Sequence, residues 1–433
     1  MTKTGKTVII GLDGTPYDMI EDFAQSGVMP NMAELIGQGI FKKMQSSIPE
    51  ISSVAWSSVI TGKNPAEHGI FGFMDLFDGS YKMRFPNFND LKARPFWEDW
   101  PGQSVIVNVP STYPVRQMNG VHISGFVSIN FVKSVHPKSL IPQLQELDYR
   151  LDVDSAKAHS SMELFLSDLD KTLDARIEVY RHLWDNVDWQ TFMLVFTGTD
   201  RLMHFLWEAY EDERHKYHNV FLEHFAKIDG VIGEIGSRLA DDDLLIMLSD
   251  HGFEKLDYDV YISYVLKEEG FLQFKQDQDI TLNNINHGTK AFVLDPARIY
   301  INYKNKYPCG TVDPSEGEEL LGRLENLFAS LETNGRKVVR DIYKKHQIYS
   351  GPFFDNAPDL VLIGNEGFNL KANVKAQRLT DKVIFSGKHT QDTAFLVVKG
   401  LSDESVVGDI PTVSDIKGIV EKVKALPDQQ KLL

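Results

Sequence analysis

The sequence is poor in cysteine and lacks long apolar runs. Cys309 is the single cysteine among 433 residues, so an intrachain disulfide is excluded and a reducing compartment is favoured. No stretch of about eighteen apolar residues occurs, and the first apolar run, Thr7–Leu12, is too short for a signal peptide. We therefore expect a cytoplasmic protein that has no membrane partner.

Basic residues are scarce relative to acidic ones. The chain has 45 Lys and Arg residues against 61 Asp and Glu residues, which gives a net charge of −16. Proteins that bind duplex nucleic acid usually present a basic face, so we expect no nucleic-acid partner. Small anionic molecules can still bind where bound cations supply positive charge. With 42% hydrophobic residues the chain can bury a large core, which excludes a disordered protein.

Short apolar and β-branched runs alternate with helical patterns along the chain. This alternation is typical of a mostly parallel sheet with helices on both faces, and we predict such an α/β fold. Apolar residues that recur every three or four positions predict helices at about Ser160–Trp184 and His218–Leu239. The predicted strands are Thr7–Leu12, Ser104–Val109, Phe192–Phe196, Leu244–Leu248, Leu360–Ile363 and Ala394–Val398.

Two segments interrupt the alternation. Residues 74–100 are rich in Phe, Pro, Asn and Asp without clear periodicity, and residues 303–355 contain a charged helix followed by Val338–Tyr343. We interpret residues 1–433 as one catalytic domain in which these two segments are cap insertions over the sheet edge.

Aspartate and histidine recur next to the predicted strand ends. A doubly wound sheet collects its functional groups just past the carboxyl ends of its strands. Each fragment alone is typical of a turn or a solvated loop. Together they form a mixed set of carboxylates and imidazoles that suits Zn²⁺ or Mn²⁺. The residues are Asp13, Asp200, His204, Asp250, His251 and His389.

The segment Ser52–Gly62 is rich in hydroxyl groups and begins a plausible helix. A serine at a helix N-terminus can cap the helix. The free N–H groups and the helix dipole at the same place also attract phosphate. The segment therefore offers a candidate nucleophile, and the two interpretations are compatible.

In these motifs the chain resembles the alkaline phosphatase superfamily, in its type I phosphodiesterase/nucleotide pyrophosphatase branch. Within that branch it is most similar to a group described as predicted phosphohydrolases or phosphomutases. The resemblance covers nearly the whole chain and implies an alkaline-phosphatase-like fold. The matching pieces are Gly11–Gly14, Ser52–Gly62, Asn64–Ile70, Asp200 with His204, Asp250–Gly252, Lys290-Ala291, Ile299–Asn302, Ala357–Asp359 and Gly387–His389.

The resemblance implies two metal sites and a serine nucleophile. One site would use Asp200, His204 and His389, and the other would use Asp13, Asp250 and His251 with the oxygen of Ser52. Zn²⁺ is the expected ion and Mn²⁺ the alternative. Ser52, counted back from Thr61-Gly62, would attack phosphorus to form a phosphoseryl intermediate, and water would then release the phosphate. The expected substrate is a small organic phosphate, either a phosphodiester or a phosphomonoester.

The chain departs from its relatives near the nucleophile. Nucleotide pyrophosphatases of this branch have Asn three residues after the nucleophile, where this chain has Ala55, which argues against that particular activity. The Pro and Arg of the sulfatase pattern are absent as well. Lys290, His287, Lys388 or a backbone N–H could replace the missing donor; we favour Lys290, although a solvated lysine is an equally good interpretation of it. Trp56 could line the pocket, although core packing is the commoner role for such aromatic residues.

Two alternatives to hydrolysis remain open. A phosphotransferase or phosphomutase would pass the phosphoryl group to a second hydroxyl, which needs a cap that excludes water. A non-catalytic binding protein would keep the fold without the chemistry. Because all seven metal and nucleophile positions carry competent residues, we expect an enzyme.

Overall fold

The computed structural model describes residues 5–401 and 403–426, which form two compact units. The first unit consists of described residues up to Lys63, Asn87–Glu254, and those from Phe385 onward. The second unit consists of Asn64–Pro86 and Lys255–Ile384.

An eight-stranded sheet forms the centre of the first unit. Neighbouring strands are parallel except around Ala394–Lys399 and Val135–His136, which run in the opposite direction. The predicted α/β fold with a mostly parallel sheet is confirmed. In spatial order the strands are Gly39–Met44, Ala394–Lys399, Leu244–Leu248, Thr7–Leu12, Thr191–Phe196, Ser104–Val109, Gly120–Ser124 and Val135–His136.

The central strands are buried along their whole length. Every residue of Thr7–Leu12, Thr191–Phe196 and Leu244–Leu248 is buried. Continuous apolar runs are the pattern expected when helices cover both faces of a parallel sheet. Val8, Ile10 and other inward residues form one core with the surrounding helices.

Helices of the first unit pack on this sheet. The two predicted helices are found at Met162–Asn186 and His218–Arg238. The Ser161 hydroxyl caps the longer one by accepting the N–H of Leu164, which fixes its start. The other helices of this unit are Tyr17–Ser26, Pro30–Gly37, Ser52–Thr61, Phe96–Asp99, Ile141–Glu146, Gly198–Glu211 and Ile416–Ala425. Among the described residues, no helix has both the length and the apolarity needed to cross a membrane.

The second unit is built on an antiparallel sheet. Its strands, in spatial order, are Ala291–Leu294, Arg298–Ile301, Leu360–Gly364 and Val339–Lys344. The predicted strand at 360–363 is therefore found, but it lies in this sheet and not in the central one. The helices of this unit are Pro65–His68, Ile262–Glu268, Gly317–Ala329 and Lys345–Ile348.

Several short strands complete the two units. Residues 256–261 of the strand Gly252–Tyr261 pair with Gly367–Lys371 and Thr380–Asp381 in the second unit. The remaining strands are Asp75–Leu76, Met83–Arg84, Glu332–Thr333, Arg336–Lys337 and Gly387–Thr390.

The boundary between the units divides one predicted insertion. Residues 74–86 belong to the second unit and 87–100 to the first, whereas 303–355 lie wholly in the second unit. The assignment of both segments as caps of a single catalytic domain stays a prediction.

Candidate metal centre

The sheet of the first unit brings seven predicted residues to one edge. Gly11 pairs with Val195 on one side and with Leu248 on the other, so the residues after these three strands emerge together. The strand Ala394–Lys399 runs in the opposite direction, and its amino end therefore lies at this same edge. The predicted residues that lie at this edge of the sheet are Asp13, Ser52, Asp200, His204, Asp250, His251 and His389.

One group of side chains consists of Asp200, His204 and His389. Nε2 of His389 lies 3.1 Å from Oδ1 of Asp200 and 3.0 Å from Nε2 of His204. Nε2 of His204 lies 3.4 Å from the same carboxylate oxygen. Asp200 and His204 are four residues apart on the helix Gly198–Glu211, which places both on one face.

A second group consists of Asp13, Asp250 and His251. Nε2 of His251 lies 3.7 Å from Oδ1 of Asp13 and 3.4 Å from Oδ2 of Asp250. Oγ of Ser52 lies 3.2 Å from the same nitrogen. The two groups adjoin, because the rings of His251 and His389 stack with their centroids 3.7 Å apart.

All three histidines are anchored through Nδ1. A carbonyl oxygen only accepts hydrogen bonds, so a ring nitrogen facing one must donate, which leaves the lone pair on Nε2. This anchoring is characteristic of metal-binding histidines. The accepting carbonyls are those of Gly387 at 3.1 Å for His204, Gly252 at 3.1 Å for His251, and Glu50 at 3.0 Å for His389.

Each of the three aspartates has one oxygen held by an N–H donor. The donors are Nε1 of Trp56 to Oδ2 of Asp13 at 3.3 Å, the backbone N–H of Gly14 to Oδ1 of Asp250 at 3.1 Å, and Nη1 of Arg201 to Oδ2 of Asp200 at 2.9 Å. The other oxygens face the imidazoles. Within residues 5–401 and 403–426, Oδ1 of Asp13 and Oδ2 of Asp250 are buried without a hydrogen-bond donor.

Burial governs the protonation of these groups. Burial, reinforced by the charge of Asp250, raises the pKa of Asp13 well above its ordinary value. Burial likewise raises the pKa of Asp250 to about 7 and lowers the pKa of His251 well below its ordinary value. It lowers the pKa of His204 to about 4. Burial thus keeps both imidazoles neutral, and a bound cation would stabilise the ionised carboxylates.

The donor set fits divalent cations. Potential ligand atoms form two adjoining groups that share His251: Asp200, His251 and His389, and Asp13, Asp250 and His251. Nε2 of His204 borders the first group at 3.0 Å from Nε2 of His389, and two of the carboxylate oxygens lack any donor among the described residues. Such an arrangement is electrostatically unfavourable unless positive charge enters it. Imidazole nitrogen and carboxylate oxygen are ligands that Zn²⁺ and Mn²⁺ accept.

Ser52 is the first residue of the helix Ser52–Thr61. The side chain of the preceding residue, Ile51, is apolar and offers no cap, so the first amides of the helix can bind an anion. Ser52 contacts His251, whereas Oγ of its neighbour Ser53 is buried without a hydrogen-bond partner among the described residues. The hydroxyl beside the candidate ligands is therefore that of Ser52.

Trp56 holds a different position from the one expected of a pocket residue. Its side chain is fully buried one helical turn after Ser52, and its indole N–H binds Asp13. A Cβ on Gly11 would lie only 2.4 Å from this ring, so the close approach of strand and helix requires glycine there. The role of Trp56 in holding Asp13 was not visible in the sequence, because it depends on a contact between elements. Arg201 directly follows Asp200 on one helix, but the contact with Asp152 that orients it is tertiary and was not visible either.

The other two predicted substrate contacts lie outside this unit. His287 and Lys290 are exposed residues of the second unit, on the segment before the strand Ala291–Leu294. Their part in substrate binding stays a prediction.

Comparison with known proteins identifies the family of the chain. The family model of type I phosphodiesterases and nucleotide pyrophosphatases matches residues 7–392. No curated protein sequence matches the chain.

Solved structures with the same fold cover almost the whole chain. Phosphonoacetate hydrolase from Sinorhizobium meliloti 1021, in complex with phosphonoformate, has 14% sequence identity and a TM-score of 0.66 over 98% of this chain and 96% of that chain. Its complex with phosphonoacetate gives a TM-score of 0.67 at the same identity and coverage. Murine ectonucleotide pyrophosphatase/phosphodiesterase 5, an inactive variant in complex with AMP, has 13% identity and a TM-score of 0.53, again over 98% and 96%.

Proposed function

The chain belongs to the type I phosphodiesterase/nucleotide pyrophosphatase family of the alkaline phosphatase superfamily, and we propose that it is a two-metal phosphohydrolase acting through Ser52. As a member of this family it is a phosphoric ester hydrolase, and metal dependence is typical of the family. One observation carries the proposal: three imidazoles, each anchored through Nδ1, and three carboxylates lie together beside a serine hydroxyl.

The proposal assigns three side chains to each of two cations. Asp200, His204 and His389 would hold one ion, and Asp13, Asp250 and His251, with Oγ of Ser52, would hold the other. We favour Zn²⁺ because both sites contain imidazole, with Mn²⁺ as the alternative because three of the seven proposed ligands are carboxylates. When bound, such cations lower the pKa of a serine hydroxyl and stabilise negative charge on phosphoryl oxygens.

The chain's own groups define the course of the reaction. Oγ of Ser52 bonds to phosphorus and the bond from phosphorus to the ester oxygen breaks, which leaves a phosphoseryl group; overall, the proton of Ser52 passes to the departing alcohol oxygen. A water molecule then bonds to phosphorus, the bond from phosphorus to the Ser52 oxygen breaks, and one proton of that water restores the Ser52 hydroxyl. The first amides of the helix Ser52–Thr61 are placed to bind a phosphoryl oxygen, which compensates for the amide side chain missing at Ala55.

The substrate we propose is a small organic phosphate. The neighbouring phosphonoacetate hydrolase binds phosphonoformate and phosphonoacetate, and the murine phosphodiesterase binds AMP, which supports a small phosphorus-containing ligand. Ala55 argues against nucleotide pyrophosphatase activity. We assign Trp56 to the orientation of Asp13 instead of to substrate contact, because its side chain is fully buried.

Metal content and hydrolysis together test the proposal. The purified chain is analysed by metal mass spectrometry and assayed with bis-p-nitrophenyl phosphate, p-nitrophenyl phosphate and phosphonoacetate, with Zn²⁺ or Mn²⁺ added. We expect about two ions per chain and ester turnover. Ser52→Ala should abolish turnover while both ions stay bound, and His389→Ala should leave about one ion.

Ser53→Ala is the matched control, because it removes a neighbouring hydroxyl of the same helix. It should keep its turnover. Full activity of Ser52→Ala together with loss in Ser53→Ala would shift the nucleophile by one residue. A metal-free chain without turnover under any condition would refute the proposal.

The same assays separate hydrolysis from phosphoryl transfer. Release of inorganic phosphate without an acceptor alcohol supports hydrolysis, whereas turnover that depends on an acceptor supports the phosphotransferase or phosphomutase alternative. The proposal includes a cytoplasmic location, supported by the single cysteine, and fractionation of cells that express the tagged chain tests it.

A further inference from the structure

Arg201 lies between two carboxylates of the first unit. Its Nη1 donates to Oδ2 of Asp200 at 2.9 Å, and its Nη2 and Nε donate to Oδ2 of Asp152 at 2.9 and 3.3 Å. The side chain of Arg201 is 15% exposed and that of Asp200 is 5% exposed. The guanidinium group therefore fixes the orientation of the Asp200 carboxylate in a largely dry environment.

Asp152 is held in its turn by the core. Oγ1 of Thr197 accepts hydrogen bonds from Nδ2 of Asn108 at 3.1 Å and from Nη1 of Arg176 at 3.3 Å. Because both lone pairs of the Thr197 oxygen face donors, the Thr197 hydroxyl is free to donate its own hydrogen to Oδ1 of Asp152, 3.4 Å away. Asn108 and Arg176 are buried, so this chain of contacts ends in rigid structure.

Phe126 covers the free face of the guanidinium group. The centre of its ring lies 4.1 Å from Cζ of Arg201. A cation over an aromatic face at this distance is attracted to the ring, and the ring keeps water from competing for the two carboxylates. Arg201 is thus fixed on three sides, by Asp200, Asp152 and Phe126.

The hydrogen bond from Arg201 decides which oxygen of Asp200 is available to bind a metal ion. Oδ2 is occupied by Arg201, while Oδ1 faces the Nε2 atoms of His204 and His389. We propose that Arg201, oriented by Asp152, is a positioning residue that keeps Oδ1 of Asp200 as the single carboxylate ligand of the His204–His389 metal site. This inference rests on the proposed two-metal function.

The second group of ligands offers an internal comparison. Asp13 and Asp250 are held by uncharged N–H donors, from Trp56 and from the backbone of Gly14. Arg201 makes no hydrogen bond to either of these two carboxylates among the described residues. The charge of Arg201 also acts on Asp13, but without a hydrogen bond to it. Loss of Arg201 should therefore weaken metal binding at the His204–His389 site far more than at the other site, whereas a general structural role would weaken both alike.

Metal titration of the full-length apoprotein tests the inference. The protein is stripped with a chelator and titrated with Zn²⁺ in a calorimeter and with Co²⁺ followed by visible absorption. The variants are Arg201→Gln, Arg201→Lys and Asp152→Asn, with His204→Ala and Asp13→Asn as references for loss of either site. Arg181→Gln is the matched control, because Arg181 binds Glu234 of the same unit through Nε at 3.0 Å and Nη2 at 2.8 Å.

We expect two ions in the wild type and in Arg181→Gln. Arg201→Gln should lower the affinity of the site that His204→Ala abolishes by about 10- to 100-fold and change the affinity of the other site by a much smaller factor. Arg201→Lys keeps the positive charge but loses the planar guanidinium group that donates to both carboxylates, so its affinity should lie between those of Arg201→Gln and the wild type. Asp152→Asn should weaken the same site by a smaller factor and change its Co²⁺ spectrum.

Three results would overturn the inference. Folded Arg201→Gln and Asp152→Asn proteins that bind both ions like the wild type would refute it and leave the two-metal function intact. Equal weakening of both sites would mean that Arg201 acts on general stability. If Arg201→Gln does not fold, Asp152→Asn decides, and wild-type binding in that variant refutes the inference. A wild-type protein that binds no metal would refute the proposed function itself.

Discussion

Replacing Gly11 by alanine tests the contact between the first strand and the helix that carries Ser52. A Cβ at this position would lie 2.4 Å from Cη2 and 3.1 Å from Cζ2 of Trp56, and 3.1 Å from Cγ2 of Val195. The Trp56 ring is fully buried and has no solvent space to move into. Overpacking of this kind costs about 1–3 kcal/mol, so Gly11→Ala should lower the free energy of unfolding by that amount.

The same substitution should reach the metal site. Trp56 donates its indole N–H to Asp13, so a displaced ring misplaces that carboxylate. Gly11→Ala and Trp56→Phe should each weaken one metal site by about tenfold. Because phenylalanine lacks the two ring atoms that clash, the double variant should be more stable than the sum of the single effects by about 1 kcal/mol or more.

Urea unfolding of the chelated protein, followed by fluorescence and circular dichroism, measures these stabilities without a contribution from metal binding. Gly230→Ala is the matched control. Among the described residues nothing lies within 4 Å of its added Cβ, and it lies within the helix His218–Arg238. That variant should gain about 0.5–1 kcal/mol from helix propensity. The reasoning is wrong if Gly11→Ala is as stable as the wild type. It is also wrong if Gly11→Ala destabilises the Trp56→Phe protein as much as it destabilises the wild type.

Two further predictions concern stability away from the site. The Asp229 carboxylate accepts hydrogen bonds from the backbone N–H groups of Asn31 at 3.0 Å and Met32 at 2.8 Å, and so caps the helix Pro30–Gly37 from a different helix. In urea unfolding, Asp229→Ala should lower the free energy of unfolding by about 2–4 kcal/mol. A loss below about 1 kcal/mol would contradict this prediction. Burial, with the positive charges nearby, lowers the pKa of His122 from 6.5 to about 3. As the pH falls, His122 is therefore protonated in the unfolded chain at a higher pH than in the folded protein. The free energy of unfolding should fall between about pH 7 and pH 3 as a result. His122→Phe should reduce the loss between pH 7 and pH 4.5 by roughly 2–3 kcal/mol in urea titrations, and an unchanged pH dependence would refute it.

The sequence predicted the strands of the central sheet well, because apolar runs such as Thr7–Leu12 are unambiguous when both faces are buried. It missed the edge strand Gly39–Met44, whose two lysines break the apolar run, and also the short strands Gly120–Ser124 and Val135–His136 at the opposite edge. It also assigned residues 360–363 to the main sheet, since a buried run does not reveal which sheet contains it.

Candidate ligands were predictable because the fold places strand ends together. Asp13, Asp250 and Asp200 follow three adjacent strands, and the register of those strands brings them to one edge. The groups that orient them were not predictable. Trp56 donates across a tertiary contact, and Arg201, although it directly follows Asp200, is oriented by its tertiary contact with Asp152. The histidine anchors are backbone carbonyls, which no side-chain pattern encodes.

The one reversed strand at the core of the first sheet has a consequence for biosynthesis. Ala394–Lys399 lies between Gly39–Met44 and Leu244–Leu248, and Met44 pairs directly with Ala394, about 350 residues later. At about 5–20 residues per second, a ribosome needs roughly 20–70 s to synthesise that interval. Throughout this time Gly39–Met44 has no partner strand, and His389 has not yet been synthesised. The last candidate ligand and the strand that joins Gly39–Met44 to the rest of the sheet are therefore synthesised together, at a late stage of translation.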